Sequence, residues 1–214
     1  MEVQQLFIFF SLLIVAIVLF LIFKRLIEQS KNPTGILGMW MMNIWNRAYL
    51  PMVKWTFKYI TVYPPKTVLD IGIGNGASTN LIRKHFPTST IYGIDCSSTA
   101  VKEARKRNRD DVIIKQEKIE ETDLPTNFFE LVFAFQTHFH WEKLDQSFSE
   151  IKRILAQEGE LWIACEQTKV NYFLPNLVEE EHLRAYLNDL GLELVDIYQT
   201  TPWVCYRIMN YTSQ

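Results

Sequence analysis

The first pattern in the chain is an unbroken apolar one. Leu6 to Phe23 carries no polar residue except Ser11. As a helix this run would measure about 27 Å, close to the hydrocarbon thickness of a bilayer. It also lacks the polar face that a helix packed onto a soluble domain keeps. A cleaved signal peptide would call for a basic start and small residues at a cleavage site. The chain instead begins Met1-Glu2-Val3-Gln4-Gln5, and Lys24-Arg25 stands where cleavage would fall. The pattern predicts an uncleaved transmembrane anchor over residues 1–30. Lys24, Arg25 and Lys31 follow the run and only Glu2 precedes it. A single-pass membrane protein with its main domain in the cytoplasm is therefore expected.

Beyond a break at Ser30 to Gly35, residues 31–65 read as a helical linker or cap. Two helices are expected, Ile36 to Asn46 and Leu50 to Thr61, with Pro51 in the first turn of the second. Trp40, Trp45 and Trp55 have three open roles: lining a pocket, sitting at headgroup level, or packing on the domain. From residue 66 to 214 the periodicity alternates between strand and helix. Strands are expected at Thr67 to Ile71, Thr90 to Ile94, Val112 to Lys115, Glu130 to Phe135 and Glu160 to Ala164. Helices are expected from Ser78 to Phe86, stopped by Pro87, and from Ser97 to Asn108 behind a serine N-cap. Two more are expected from Asp145 to Leu155, which ends at Glu158-Gly159, and from Glu179 to Leu190, closed by Gly191. Leu192 to Tyr198 and Trp203 to Met209 lie close enough in sequence to pair antiparallel. The class is α/β, with one globular domain behind the anchor.

Composition narrows the function. A net charge of −2 over 214 residues leaves no basic footprint for nucleic acid. Cys96, Cys165 and Cys205 are an odd, scattered set, which suits buried thiols in a reducing compartment. They show no metal-ligand spacing, and no metal site is expected.

The chemistry gathers around Thr67-Val-Leu-Asp-Ile-Gly-Ile-Gly-Asn-Gly76. A buried strand, three glycines at alternate positions and a helix start form a nucleotide-binding corner of the doubly wound kind. Asp70 precedes the first glycine by two residues, and Asp95 ends the next strand, where a carboxylate can accept hydrogen bonds from ribose hydroxyls. At these residues the sequence resembles the class I S-adenosylmethionine (SAM)-dependent methyltransferases, whose first motif is Asp-x-Gly-x-Gly-x-Gly. The resemblance runs from about Lys66 to the C-terminus. It implies a Rossmann-like, doubly wound, mostly parallel seven-stranded sheet with a C-terminal antiparallel strand pair, and SAM as cofactor. It also implies that Asp70, Gly72, Gly74 and Gly76 cradle the amino-acid part of the cofactor and that Asp95, with Cys96 beside it, holds the ribose. Gln116 to Pro125 resembles the adenine loop. Lys118 stands at the position usually held by an acid, Ile119 supplies the backbone N–H, and Glu117 or Glu120 would substitute if the register shifts. Asn32 to Gly38, continuing to Asn46-Arg47, resembles the N-terminal segment of a bacterial subgroup; that subgroup often has a His where this chain has Tyr49.

Gln136-Thr-His-Phe-His-Trp141 follows the fourth strand, at the sheet edge where ligands collect. Gln136 is expected beside the cofactor, and His138 and His140 are the candidates for a general base near the acceptor. The resulting expectation is methyl transfer to a small-molecule or lipid-like acceptor at the cytoplasmic face of a membrane. Two rival readings use the same corner. One is a membrane-tethered nucleotide-binding protein without catalysis. The other is an NAD(P)-dependent reductase, which is weakened by the lack of a Tyr-x-x-x-Lys and of room for a substrate domain.

Overall fold

The computed structural model describes residues 2–61, 64–108 and 112–211. Helix α1 (Glu2–Lys31) holds the N-terminal apolar run and α2 (Gly35–Thr56) follows it, ending in a short 3-10 turn, Phe57–Tyr59. The sheet is built from β1 (Thr67–Ile71), β2 (Thr90–Asp95), β3 (Val112–Gln116), β4 (Phe129–Phe135), β5 (Leu155–Glu166), β6 (Leu192–Thr200) and β7 (Trp203–Asn210). Between the strands lie α3 (Ala77–His85), α4 (Ser98–Asn108), α5 (Leu144–Ile154), α6 (Gln167–Phe173) and α7 (Glu180–Asp189). Strand order is β3-β2-β1-β4-β5-β7-β6, and β7 alone of the seven strands runs opposite to the others. This is the expected mostly parallel seven-stranded sheet with a C-terminal antiparallel pair. The order reverses at β1, whose neighbours are β2 and β4. A crevice at that switch point lies off the carboxyl ends of the strands.

Each sheet face buries its own core because side chains alternate along a strand. On one face Leu69, Val132, Leu161 and Ile163 meet Phe148 and Ile151 of α5 and Leu187 of α7. On the other, Val68, Leu131, Phe133 and Trp162 meet Met52 and Val53 of α2, Ile82 of α3 and Ala104 of α4. The helix α2 is therefore a full member of the second layer, and it fixes where the N-terminal segment sits.

Several elements differ from the expected ones. In place of two helices over Ile36 to Thr61 there is one, α2, with Pro51 inside it. Proline removes the bond to the Arg47 carbonyl, but both residues are exposed, so the loss falls on the solvent side of the helix. The expected break at Ser30 to Gly35 is a fastened corner. The Gln29 amide donates to Thr34 Oγ1 at 2.8 Å and accepts from Thr34 N at 2.8 Å, while Ser97 Oγ donates to the Pro33 carbonyl. Strand β5 starts directly at Leu155, paired with Phe129, and its register then jumps to Glu160 opposite Leu131. The expected turn at Glu158-Gly159 is thus a bulge within a longer strand. The short helix α6 had no counterpart in the periodicity.

The N-terminal helix is long and apolar enough to cross a membrane, with a mean hydropathy of 3.4 in its best window and none of that window buried on the domain.

Candidate active site

The β1–α3 connection folds back over the end of β2. Gly72 N and Ile73 N both donate to the Ile94 carbonyl, at 2.8 and 3.2 Å. Gly74 N then donates to Asp95 Oδ2 at 2.9 Å, and Ser97 N to Asp95 Oδ1 at 2.8 Å. Asp95 thus ties the glycine loop to the start of α4, and both oxygens keep a lone pair for a ligand. Gly72 has φ +74°, and a Cβ there would run into the Thr137 side chain on the loop after β4. A side chain at this position would prop the β1 and β4 loops apart. Gly76, the N-cap of α3, is tight for a different reason: a Cβ would meet Asn108 and Ala104 of α4.

Two adjoining cavities form one cleft at this edge. The first, about 500 Å³, is lined by Asp95, Cys96, Glu117, Lys118, Ile119 and Glu142, among others. The second, about 140 Å³, lies between the glycine loop and α2, against Trp45, Asn46, Tyr49, Gly74, Ser78 and Gln136. Gly72, Asp95, Thr137, His140 and Lys31 border both. Lys31 is the last residue of α1, and Ser30 and Pro33 beside it line the second cavity. The end of the apolar helix is therefore a wall of the cleft.

The expected site residues divide among three places. Gly72, Gly74, Asp95, Cys96, Lys118, Ile119, Gln136 and His140 line the cleft. Asp70 and Gly76 do not. Asp70 is buried beneath the loop, where it accepts from Ser78 Oγ at 2.8 Å and Thr79 Oγ1 at 2.7 Å and so fastens the first turn of α3. Its support of the loop is indirect. His138 faces the opposite way, into a small apolar cavity beside Leu144, Phe148, Ile163 and Tyr206. His138 and His140 lie in one 3-10 turn, where residues two apart point about 120° apart.

Electrostatics follow burial. Loss of water pushes the Asp95 carboxyl up to about 6, against the pull of its two backbone donors. Asp70 is pushed up to about 7 by burial, opposed by its hydroxyl donors and helped by the nearby Asp95 charge. Burial lowers His140 to about 4, with Lys169 and Lys31 adding to the effect; His138, deeper still, falls to about 3. Both imidazoles are neutral at pH 7. Tyr49 rises to about 12 through burial and the Glu166 charge, so it stays a hydrogen-bond donor.

Lys118 points its ammonium outward to Glu142 at 3.0 Å. Glu117 Oε2, by contrast, is buried with no hydrogen-bond partner among the described residues, and so is Gln136 Oε1. Unpaired buried acceptors in a cleft suit a ligand that brings donors. Sequence reasoning did not find Ser30, Lys31, Asn46 and Ser78. Nor did it find Asn75, whose side chain bonds Asn43 and Asn46 of α2 at 2.9 Å each. Polar residues spaced along an otherwise apolar α2 were the available signal.

Comparison with known proteins bears on this cleft. The methyltransferase-domain family matches residues 69–163, from β1 through most of β5. A methyltransferase-named protein, 235L, of Invertebrate iridescent virus 6 is 27% identical over 146 residues, covering 60% of this chain. The chain spans about half the length of that relative, 52%. A SAM-dependent methyltransferase from Aquifex aeolicus superposes with a TM-score of 0.64 at 18% identity, over 76% of this chain and 90% of that one. Geranyl diphosphate C-methyltransferase from Streptomyces coelicolor A3(2), whose structure contains Mg2+, geranyl diphosphate and S-adenosyl-L-homocysteine, superposes with a TM-score of 0.62 at 14% identity, over 76% and 79%. Those likenesses show a shared fold. With the domain match, the glycine loop and the acid at the end of β2, this chain is similar to the SAM-dependent methyltransferases over residues 69–163.

Proposed function

We propose that the chain transfers a methyl group from SAM to a hydrophobic or lipid-like acceptor at the cytoplasmic face of a membrane. One observation carries the reading: the end of the apolar helix, at Ser30 and Lys31, forms part of the cleft wall opposite the glycine loop. The Gln29–Thr34 and Ser97–Pro33 hydrogen bonds tie the end of α1 to the domain, so the cleft opens beside the bilayer if α1 crosses it. Lys24, Arg25 and Lys31 at that end favour the cytoplasmic side.

The residues present fit SAM. Asp95 would take the ribose hydroxyls on its remaining lone pairs. Glu117 Oε2 supplies a buried acceptor for an adenine amine, and Ile119 offers its backbone amide. Gly72 and Gly74 keep side chains off the path of the amino-acid portion. When bound, SAM supplies an activated methyl on a sulfonium. This chain's part is to hold the acceptor in line and to exclude water. Met42, Trp45, Leu50 and Val53 make the acceptor half of the cleft largely apolar. Gln136, Tyr49 and His140 are among its polar groups. His140, lowered to about 4, is a weak proton acceptor at pH 7. Its proposed role is to hold the acceptor's hydrogen-bonding group, since so weak a base takes a proton only from a nucleophile that is itself acidic.

The test uses the full chain in lipid nanodiscs. Isothermal titration with SAM should show binding that Asp95→Ala weakens by about 100-fold or more. Radiolabelled methyl from SAM should then appear in a lipid extract and stay absent from the water-soluble metabolite pool. Label confined to the water-soluble pool would overturn the acceptor class. NADH binding in place of SAM would overturn the reading altogether.

A further inference from the structure

The helix α2 has two apolar faces, and only one is used. Its inner face packs on the sheet through Met52 and Val53 and lines the cleft through Met42, Trp45 and Tyr49. Its outer face carries Ile36, Trp40 and Ile44 at four-residue spacing, with Leu37 beside them. These side chains are 81%, 66%, 49% and 45% exposed, respectively. The same stripe continues into Arg47 and Lys54, both exposed. A surface helix of a soluble domain turns polar residues outward. Here the outward stripe is apolar in its first half and basic further on.

Chain connectivity says what lies next to it. Only three residues separate the end of α1 at Lys31 from the start of α2 at Gly35. Three residues reach about 10 Å at full extension, and the headgroup layer of one leaflet is about 5–8 Å deep. The Gln29–Thr34 and Ser97–Pro33 hydrogen bonds hold this corner closed, so α2 cannot swing far from the end of α1. Tryptophan and apolar side chains flanked by Arg and Lys are the composition of a helix lying at a lipid–water boundary.

We propose that the outer face of α2 is a membrane-docking surface. Ile36, Leu37, Trp40 and Ile44 sit among the headgroups and upper acyl chains of the leaflet that α1 enters, and Arg47 and Lys54 meet anionic headgroups. This inference rests on the proposed membrane span of α1. It assigns α2 as the partition between bilayer and cleft: lipid on one face, the acceptor half of the site on the other. An amphiphilic acceptor then reaches Trp45 and Tyr49 laterally, past the ends of α1 and α2, and need not leave the leaflet completely.

The test is depth measurement on the full chain in vesicles of phosphatidylethanolamine and phosphatidylglycerol. Nitroxide labels go on single cysteines replacing Ile17, Ile36, Trp40, Ile44 or Lys102 in a Cys96→Ser background, with Cys165 and Cys205 buried. Relaxation by oxygen and by a water-soluble nickel chelate reports depth. Labels at 36, 40 and 44 should show several-fold lower nickel accessibility than the label at 102, and should lie shallower than the label at 17. Vesicles of phosphatidylcholine alone should weaken the effect, because Arg47 and Lys54 lose their anionic partners. A label at 17 deep in the bilayer with labels at 40 and 44 as nickel-accessible as 102 would overturn the docking surface while leaving the anchor intact. A water-exposed label at 17 would overturn the anchor, and the docking surface with it. Dipolar broadening between labels at 40 on two chains would assign the face to a second copy and overturn the lipid assignment.

Discussion

The two halves of the cleft are built on different principles. The half around Asp95, Cys96 and Ile119 is made by strand ends and the turns that leave them, each formed by residues close in sequence. The half around Trp45, Tyr49 and His140 exists only because α2 and the end of α1 are laid across the sheet edge by long-range contacts. One is polar and set by backbone geometry; the other is largely apolar and set by packing. The proposed function puts the cofactor in the first and the acceptor in the second, so variation in chemistry is expected to concentrate where α1 and α2 meet the β4 loop.

Removing Asp95 is the strongest way to separate the halves. Asp95→Ala takes away the charged acceptor for the ribose and frees Gly74 N and Ser97 N, which it now holds at 2.9 and 2.8 Å. Hydrogen bonds to charged groups contribute about 1.5–3 kcal/mol each, so SAM affinity should fall by about 100-fold or more by calorimetry. Asp95→Asn keeps one acceptor and should lose less while keeping the fold. Equal SAM binding in wild type and Asp95→Ala would place the cofactor elsewhere in the cleft.

The two histidines test the other half. His140 lines the cleft and His138 faces the apolar cavity behind it. His140→Ala should lower kcat/KM for the acceptor by about tenfold, the value of one hydrogen bond, with SAM affinity unchanged. His138→Leu should leave turnover intact and hold or raise Tm, because it removes a buried Nδ1 with no partner among the described residues. A loss of turnover in His138→Leu equal to that of His140→Ala would show that the turn moves as a unit and that the division between them is wrong.

Asn75 joins the halves. It sits in the glycine loop and holds Asn43 and Asn46 of α2. Asn75→Ala should cost about 1–2 kcal/mol of stability in urea unfolding, because two amide contacts are lost. It should also raise KM for the acceptor more than it weakens SAM, since α2 forms the wall proposed for the acceptor. An effect on SAM alone would mean that α2 is positioned by its core contacts through Met52 and Val53 and not by the loop.

How much of this was legible in the sequence divides along the same line. The strands, the glycine corner and Asp95 follow from patterns a few residues long, and they stand close to where the periodicity and the motif put them, except that β5 begins five residues early, at Leu155. The acceptor half was not legible, because its contacts join residues far apart: Ser97 to Pro33, Asn75 to Asn43, Gly72 against Thr137. Pro51 misled for a local reason. Proline rules assume that the orphaned carbonyl is costly, and on an exposed face it is not. His138 and His140 looked equivalent as a pair, and only the 3-10 turn sends them to opposite sides. The helix α6 is too short for a periodic signal. The wall formed by Ser30 and Lys31 had no signal, since it arises from how the corner after α1 closes.

The last expected effect concerns Asp70, which lies under both halves and belongs to neither cavity. Its carboxyl, buried and pushed up to about 7, is protonated in the fold at pH values where the unfolded chain has already lost the proton. Below about pH 4 both states are protonated and the group is neutral to stability. From about pH 4 to 7 the unfolded state ionises and the folded state does not, so the contribution to stability declines as pH rises through that window. Asp70→Asn preserves the shape and can still accept from Ser78 and Thr79, but it does not titrate. The variant should match wild type near pH 4 and gain on it steadily up to pH 7, by about 1–3 kcal/mol with the cofactor absent, in urea titrations at each pH. With SAM added the gap should not change, because Asp70 does not line the cleft. A gap that closes on adding SAM would mean that the carboxylate reaches the ligand through the loop, making Asp70 part of the cofactor half. A gap independent of pH would mean that Asp70 is already ionised in the fold and held by the hydroxyls of Ser78 and Thr79.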